Sequence, residues 1–254
     1  MTDANAQRQS LQQIFNTAIH IRQHEMTNLV YEGSRGVVQG GPFRGMRMLR
    51  QSSWGAGELS PKLLGCYESE LIPHVIEAVA KNFPQIINVG CAEGYYAVGL
   101  ARRLPRSKVI AYDVSPAAQA VCQATATANG VEDRVEIRGA CTHATLSADL
   151  AGGVPTFMVM DCEGAEMNLL DPEKAPLDHC DILVECHDLF NPKITPTLLE
   201  RFAATHTAER IEEGPRNPNS PLLRKQDSVN RWIAVCEFRV APQHWLMFRS
   251  KAAQ

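Results

Sequence analysis

An apolar run, Ile86-Ile87-Asn88-Val89, feeds straight into the turn Gly90-Cys91-Ala92-Glu93-Gly94, and a second apolar run, Val109-Ile110-Ala111-Tyr112, ends on Asp113. A strand, a glycine turn that opens a helix, and a second strand closed by a carboxylate about twenty residues on is the wiring of a nucleoside-binding α/β unit. A cofactor-using enzyme is the leading reading of such a chain.

The glycine spacing separates two kinds of nucleoside site. A dinucleotide turn, Gly-x-Gly-x-x-Gly, lets a pyrophosphate approach the backbone at a helix N-terminus. Here the middle glycine is missing, and Glu93 places a carboxylate where a pyrophosphate belongs, which is costly in a partly buried turn. A ligand without phosphates fits better. The run resembles motif I of the class I S-adenosylmethionine methyltransferases, with Asn88 in the acidic position and Ala92 in the second glycine position. That resemblance implies S-adenosylmethionine as cofactor, held by Asn88, Gly90, Cys91, Glu93 and Gly94. It gives Asp113 the ribose hydroxyls and Val114 the adenine, although Asp113 also reads as a cap for the helix starting at Ser115-Pro116. The short strand Val135–Arg138 leads to Gly139-Ala140-Cys141, where this fold sets backbone and small side chains, Ala140 among them, against adenine.

A second segment carries the acids. Thr156–Met160 is an apolar strand delivering Asp161, Glu163 and Glu166 within six residues, which solvation alone does not arrange. Asp161-Cys162-Glu163-Gly164-Ala165-Glu166 resembles the Asp-x-Glu-Gly-x-Glu strand end of the FkbM family of methyltransferases, and Ile182–Asp188 resembles that family's Glu-x-His strand end through Glu185 and His187. Leu64–Glu68 resembles the segment preceding motif I there, which places Tyr67 or Glu68 at the methionine end of the cofactor. A first-turn Glu favouring the helix dipole accounts for Glu68 nearly as well. The resemblance runs from Gly65 to the fifth strand and implies methyl transfer to a hydroxyl of a sugar or small natural product.

Ligands of such folds lie beyond the carboxyl ends of the strands, so Asp161 and His187 are the catalytic candidates. An imidazole with an ordinary pKa of about 6.5 suits proton transfer at neutral pH, and Asp161 then orients the acceptor, holds His187 or touches the cofactor. A hydrogen-bonded histidine that merely closes the strand is the competing reading. A divalent cation on Asp161 with Asp188 or His187 is a further one, not favoured, with the metal ligands left unknown. Glu163 and Glu166 are expected to satisfy backbone donors in the next helix.

Composition sets the rest. A chain of 254 residues buries one large core, and the expected division is an N-terminal helix and lid over 1–60 followed by the catalytic domain over 61–254. A net charge of −3 with no basic run, and no Asn/Asp-Pro-Pro-Tyr/Phe motif after the fourth strand, argue against nucleic acid as a partner. Eight cysteines without a CxxC pair read as reduced, buried thiols. No apolar stretch approaches the roughly 20 residues of a membrane span, so no membrane partner and a cytoplasmic location are expected; oligomerisation is left open.

The spacing of Leu11, Ile14, Phe15, Ala18 and Ile21 predicts an amphipathic helix over 11–29. The glycine- and arginine-rich stretch 31–60 reads as an ordered lid, with Arg44, Arg47, Arg50 and Trp54, together with Glu237 and Arg239, as candidates for an acceptor pocket. A continuous helix is expected over 61–81. Strands and helices then alternate to His187, a helix follows at 195–204, another carries Val229, Trp232, Ile233 and Cys236, and an antiparallel strand closes the chain at 244–248. The fold class is α/β: a Rossmann-like, mainly parallel seven-stranded sheet with helices on both faces. The rival readings are a nicotinamide-dependent oxidoreductase and a catalytically silent cofactor-binding scaffold.

Overall fold

The computed structural model describes residues 2–51 and 58–252, with side chains from residue 8 onward. A long helix, α1 (Thr2–Ser34), is followed by an irregular strap, α2 (Leu59–Leu64) and α3 (Ile72–Lys81). Then come β1 (Gln85–Val89), α4 (Tyr95–Arg103), β2 (Lys108–Tyr112), α5 (Pro116–Ala128), β3 (Val135–Arg138), α6 (His143–Leu150) and β4 (Thr156–Met160). The chain ends with α7 (Glu166–Leu169), β5 (Cys180–Glu185), α8 (Ile194–Phe202), β6 (His206–Glu212), α9 (Ser228–Val235) and β7 (His244–Ser250).

The seven strands form one sheet in the order β3-β2-β1-β4-β5-β7-β6, parallel except for β7, which runs antiparallel between β5 and β6. This is the Rossmann-like arrangement expected from the alternating elements. Side chains alternate across the sheet: Ile86, Val109, Phe157, Val159 and Leu183 join one core with α3, α4 and α5, while Ile87, Ile110, Met158, Ile182 and Val184 join another with α6 and α8. The chain leaves β1 toward β2 on one side and β4 extends the sheet on the other, so the crevice beyond β1 and β4 is the topological switch point.

Three expectations are corrected. The leading helix is not continuous over 61–81. It stops at Gly65, whose φ of 79° ends α2, and resumes through a tight turn at Ser69–Leu71 before α3. The strap passes so close that a Cβ on Gly65 would overlap the Gly40 backbone.

The N-terminal helix forms, but its apolar stripe faces outward: Leu11, Ile14, Phe15, Ala18 and Ile21 are all exposed. The buried face instead carries Gln23, Met26, Thr27, Val30 and Ser34, roughly 140° around the helix at 3.6 residues per turn.

The stretch 31–51 is ordered, though not as a cover over the crevice. Val38, Phe43, Met46 and Met48 are buried in the sheet core, Val37 bridges Arg47, and Asn129 at the end of α5 bonds both backbone groups of Arg47. Because these residues share the core with the strands of the sheet, a division at residue 60 cuts through α2 rather than a linker. Among the described residues no helix is long and apolar enough to cross a membrane. All eight cysteines are unpaired, four of them buried and four half-buried.

Candidate active site

The turn after β1 is fixed from behind. A Cβ on Gly90 (φ 79°) would overlap the Asp161 carbonyl oxygen, because β4 ends directly alongside and Asp161 N–H donates to Val89 at 2.9 Å. Gly90 and Cys91 N–H both donate to the Tyr112 carbonyl, Gly94 N–H donates to Cys91, and Ala92 N–H donates to Asp113 Oδ2 at 2.8 Å. That last bond holds Ala92 at φ 46°, a left-handed geometry uncommon for a residue with a side chain. Asp113 Oδ1 accepts from Ser115 N–H at 2.9 Å. The carboxylate therefore braces two turns while keeping acceptor capacity toward the crevice.

The crevice is a cavity of about 310 Å³ lined by Tyr67, Asn88, Gly90, Cys91, Glu93, Asp113, Val114 and Asp161 from the sequence-derived set. Glu68, Gly94, Ala140 and His187 do not line it. Gly94 caps α4 against Cys122, and Ala140 is exposed while its neighbour Cys141 takes the wall position. Glu68 is turned away by its φ of 44°; buried, it accepts from Tyr96 Oη and pairs with Arg239 at 2.9 Å. Asn88 Nδ2 donates to Val159, and its Oδ1 is buried with no hydrogen-bond partner among the described residues.

Lys62 and Glu58, which the sequence did not single out, shape the wall. Lys62 from α2 is buried, with Nζ 2.5 Å from Glu93, 2.8 Å from Glu58 and 4.4 Å above the Tyr67 ring. Burial alone lowers a lysine pKa, but Glu58 and Glu93 more than offset it, so the ammonium is held well above its ordinary range. Glu93 is thus not a bare charge facing the ligand, which corrects the reason given for excluding a pyrophosphate. The Glu58–Lys62 spacing of four residues reads only as an ordinary surface pair; the burial of Lys62 comes with its second partner, Glu93, 31 residues away.

Glu237 and Arg239 sit beside this wall in a buried network: Arg239 contacts Glu68, Glu185 and Glu237, and Arg216 contacts Glu237 and Glu70. Arg44, Arg47 and Arg50 do not reach the cavity. All three are exposed, and Arg50 stacks 4.8 Å over Tyr31 and pairs with Glu32. Trp54 lies outside the described residues.

Beyond β4 and β5 the acids converge on one imidazole. His187 Nδ1 lies 2.7 Å from Glu166 Oε1, which also accepts from Gly164 N–H at 3.0 Å, and Glu166 is fully buried. His187 Nε2 faces Asp161 at 3.6 Å, Glu163 at 3.5 Å and Glu185 at 3.9 Å. Phe190 stacks on the ring at 5.8 Å. Burial works against charging His187, yet Glu166, Asp161 and Glu185 raise it to about 9.

Asp161 is raised to about 7, chiefly by burial, with Glu68 and Glu163 adding like charge while His187 opposes. Its Oδ1 is enclosed and accepts no hydrogen bond, with His187 Nε2 facing it at 3.6 Å, while the rest of the side chain opens to the cavity. The ordinary imidazole pKa assumed for His187 is therefore corrected: ringed by carboxylates, the ring carries a proton at neutral pH and stands behind Asp161 rather than in the cavity. Asp188 is not part of this group, since it accepts from Thr195 N–H at the start of α8 and lies 3.7 Å from His244.

No protein-family model matches the chain. Over 93 residues, 34% of its length, it is 37% identical to the release factor glutamine methyltransferase of Chlorobaculum tepidum, of which the match covers 32%. Over 98 residues, 38% of its length, it is 36% identical to the enzyme of the same name from Cereibacter sphaeroides, covering 34% of that protein. The chain thus spans about a third of the length of these curated relatives. Among solved structures, the O-methyltransferase of Bacillus cereus in complex with SAH superposes with a TM-score of 0.47 at 14% identity, over 69% of this chain and 78% of that one.

Proposed function

We propose that this chain is an S-adenosylmethionine-dependent methyltransferase acting on a hydroxyl of a sugar or small natural product. The observation that carries the reading is the cavity at the switch point, closed on one side by a turn unsuited to phosphate and on the other by Asp161. Anion cradles need free N–H groups. Here those of Gly90, Cys91, Ala92 and Gly94 are taken by Tyr112, Asp113 and Cys91. What the cavity offers instead is acceptors: Asp113 for ribose hydroxyls and the unpartnered Asn88 Oδ1. Glu58 and Lys62 add a carboxylate and an ammonium, complementary to the two charges of an amino-acid tail. The pyrophosphate of a nicotinamide cofactor would find those four turn amides already bonded.

Methyl transfer from a sulfonium is an in-line displacement in which alignment supplies much of the acceleration, about 7–11 kcal/mol in favourable cases. The acceptor oxygen forms a bond to the methyl carbon as the carbon–sulfur bond breaks, and its proton must leave. Asp161 borders the cavity at the correct sheet end to orient that hydroxyl, with His187 and Glu166 fixing the carboxylate from behind. A second reading, methylation of an amide nitrogen, is favoured by the names of the partial relatives. Both acceptors lose a proton on methylation, so the acceptor panels decide between them. Incubation with methyl-labelled cofactor and two acceptor panels, hydroxylated small molecules and glutamine-containing peptides, tests this. Label on oxygen is expected, and label confined to the peptide amide would overturn the hydroxyl assignment.

A further inference from the structure

We propose that Asp161, Glu163 and His187 form a site for one divalent transition ion of the Zn²⁺ type, at the rim of the cofactor cavity. The site deepens the methyltransferase reading, on which the role given to the ion, though not its binding, rests. Among the described residues this is the one group of His, Cys, Asp and Glu whose donor atoms converge so closely, within 4.8 Å of one another.

The imidazole nitrogen stands 3.6 Å from Asp161 Oδ1 and 3.5 Å from Glu163 Oε2. With bonds of about 2.0–2.2 Å to nitrogen and oxygen, those two separations correspond to angles of roughly 110–120°, which suits tetrahedral zinc, and the Asp161 and Glu163 oxygens, within 4.8 Å of each other, close on the ion as it binds. An octahedral ion needs its neighbouring ligands closer together. Two carboxylate oxygens alone would suit Mg²⁺ or Mn²⁺, but the imidazole shifts the preference toward Zn²⁺ or Co²⁺.

Two further observations point to a ligand. Asp161 Oδ1 is buried and has no hydrogen-bond partner. The other imidazole nitrogen is held at 2.7 Å by Glu166, a fully buried carboxylate on a different element, which is how metal-ligating histidines are fixed in tautomer and direction. Glu185, also within 4 Å of Nε2, is held by Arg239 at 2.7 Å and Trp245 at 3.2 Å. It supports the site without being available as a ligand.

Asp161 and Glu163 both line the cavity, so the ion's fourth position opens toward the acceptor. On binding, the ion takes the place of the proton on His187 Nε2, which passes to solvent. An acceptor hydroxyl in the fourth position has its pKa lowered. Its oxygen then attacks the methyl carbon, the carbon–sulfur bonding pair goes to sulfur, the sulfonium becomes a neutral thioether, and the hydroxyl proton is released to solvent.

The test is titration of the chelator-treated full chain with Co²⁺, read by visible absorption, and with Zn²⁺, read by calorimetry. One ion per chain and the intense bands of four-coordinate Co²⁺ are expected. His187→Ala and Glu163→Gln should each weaken binding at least tenfold, and Glu163 sits on the rim, where its change spares the core. Glu166→Gln leaves all three ligands in place and should weaken binding about 10–100-fold by releasing the imidazole. Absence of saturable binding, a pale six-coordinate spectrum, or binding unchanged in both His187→Ala and Glu163→Gln would overturn the site. Ion binding by a chain that does not bind S-adenosylmethionine overturns the methyltransferase reading and leaves the site standing. Methyl transfer undiminished after chelation, with no ion bound, does the reverse.

Discussion

Lys62 holds two carboxylates of the cavity wall together: its ammonium lies between Glu58 and Glu93, and under 5% of its side chain is exposed. Removing one partner of a buried ion pair leaves the other charge uncompensated, at about 3–5 kcal/mol. Lys62→Met is therefore expected to lower unfolding stability by that amount in urea, and adding Glu93→Gln should recover part of it. A single-variant loss below about 1 kcal/mol would show the pair to be dispensable. Gly90→Ala should be at least as severe, because the new methyl meets backbone rather than a side chain that can move.

The acids Asp161, Glu163 and Glu166 and the histidine His187 were legible in the sequence because they follow apolar strands, where solvation does not explain them. Lys62 was not, nor was the rise in the His187 pKa, since each depends on a partner distant in sequence, Glu93 for Lys62 and Glu166 and Asp161 for His187. Ala140 missed by one residue. Cys141, in the loop beyond β3, lines the cavity, and no local pattern distinguishes the two.

At the scale of elements, the strap over 35–48 acts as packing rather than as a cover. Phe43 is fully buried, edge-on to Tyr95 at 5.0 Å and to Tyr96 at 5.9 Å, and faces Gly99 of α4, where a Cβ would strike its ring. Phe43→Ala is expected to cost about 3–5 kcal/mol, the range for aromatic truncation in a core. Thermal melts check it, and a loss under about 1 kcal/mol would mean that the strap is peripheral. The strap's burial was not readable beforehand because Gly, Arg, Val and Met are mixed there around a single aromatic, Phe43, with no helical or strand period. The strands β1, β2, β4 and β5 were readable, being apolar runs with sharp polar ends. The break at Gly65 escaped because the residues on both sides favour helix and the interruption comes from the Gly40 backbone pressing on it.

For the whole molecule, the sheet's far side is tied to α3 by Arg249, which bonds Glu77 at 2.8 Å and Glu209 at 2.9 Å. Arg249 and Lys81 hold the Glu77 carboxyl down, from 4.5 to about 2. A carboxyl depressed in the folded state contributes stability above its unfolded pKa and loses it as pH falls through the folded value. Glu77 is about one-third exposed, so screening reduces the contribution to about 1 kcal/mol. Glu77→Gln should thus be less stable than the parent at pH 7, with the difference shrinking between about pH 4.5 and pH 2. A gap in urea midpoints that stays constant over that range would contradict the assignment.

The central claim is that the crevice between β1 and β4 holds a phosphate-free nucleoside. Isothermal calorimetry of the purified chain with S-adenosylmethionine, its demethylated product and NAD tests it most directly. The first two are expected to bind one per chain and NAD not to bind, with Asp113→Ala weakening the nucleosides by about 1–3 kcal/mol as bonds to a charged acceptor are lost. Binding of NAD alone, or of none of the three, would contradict the account.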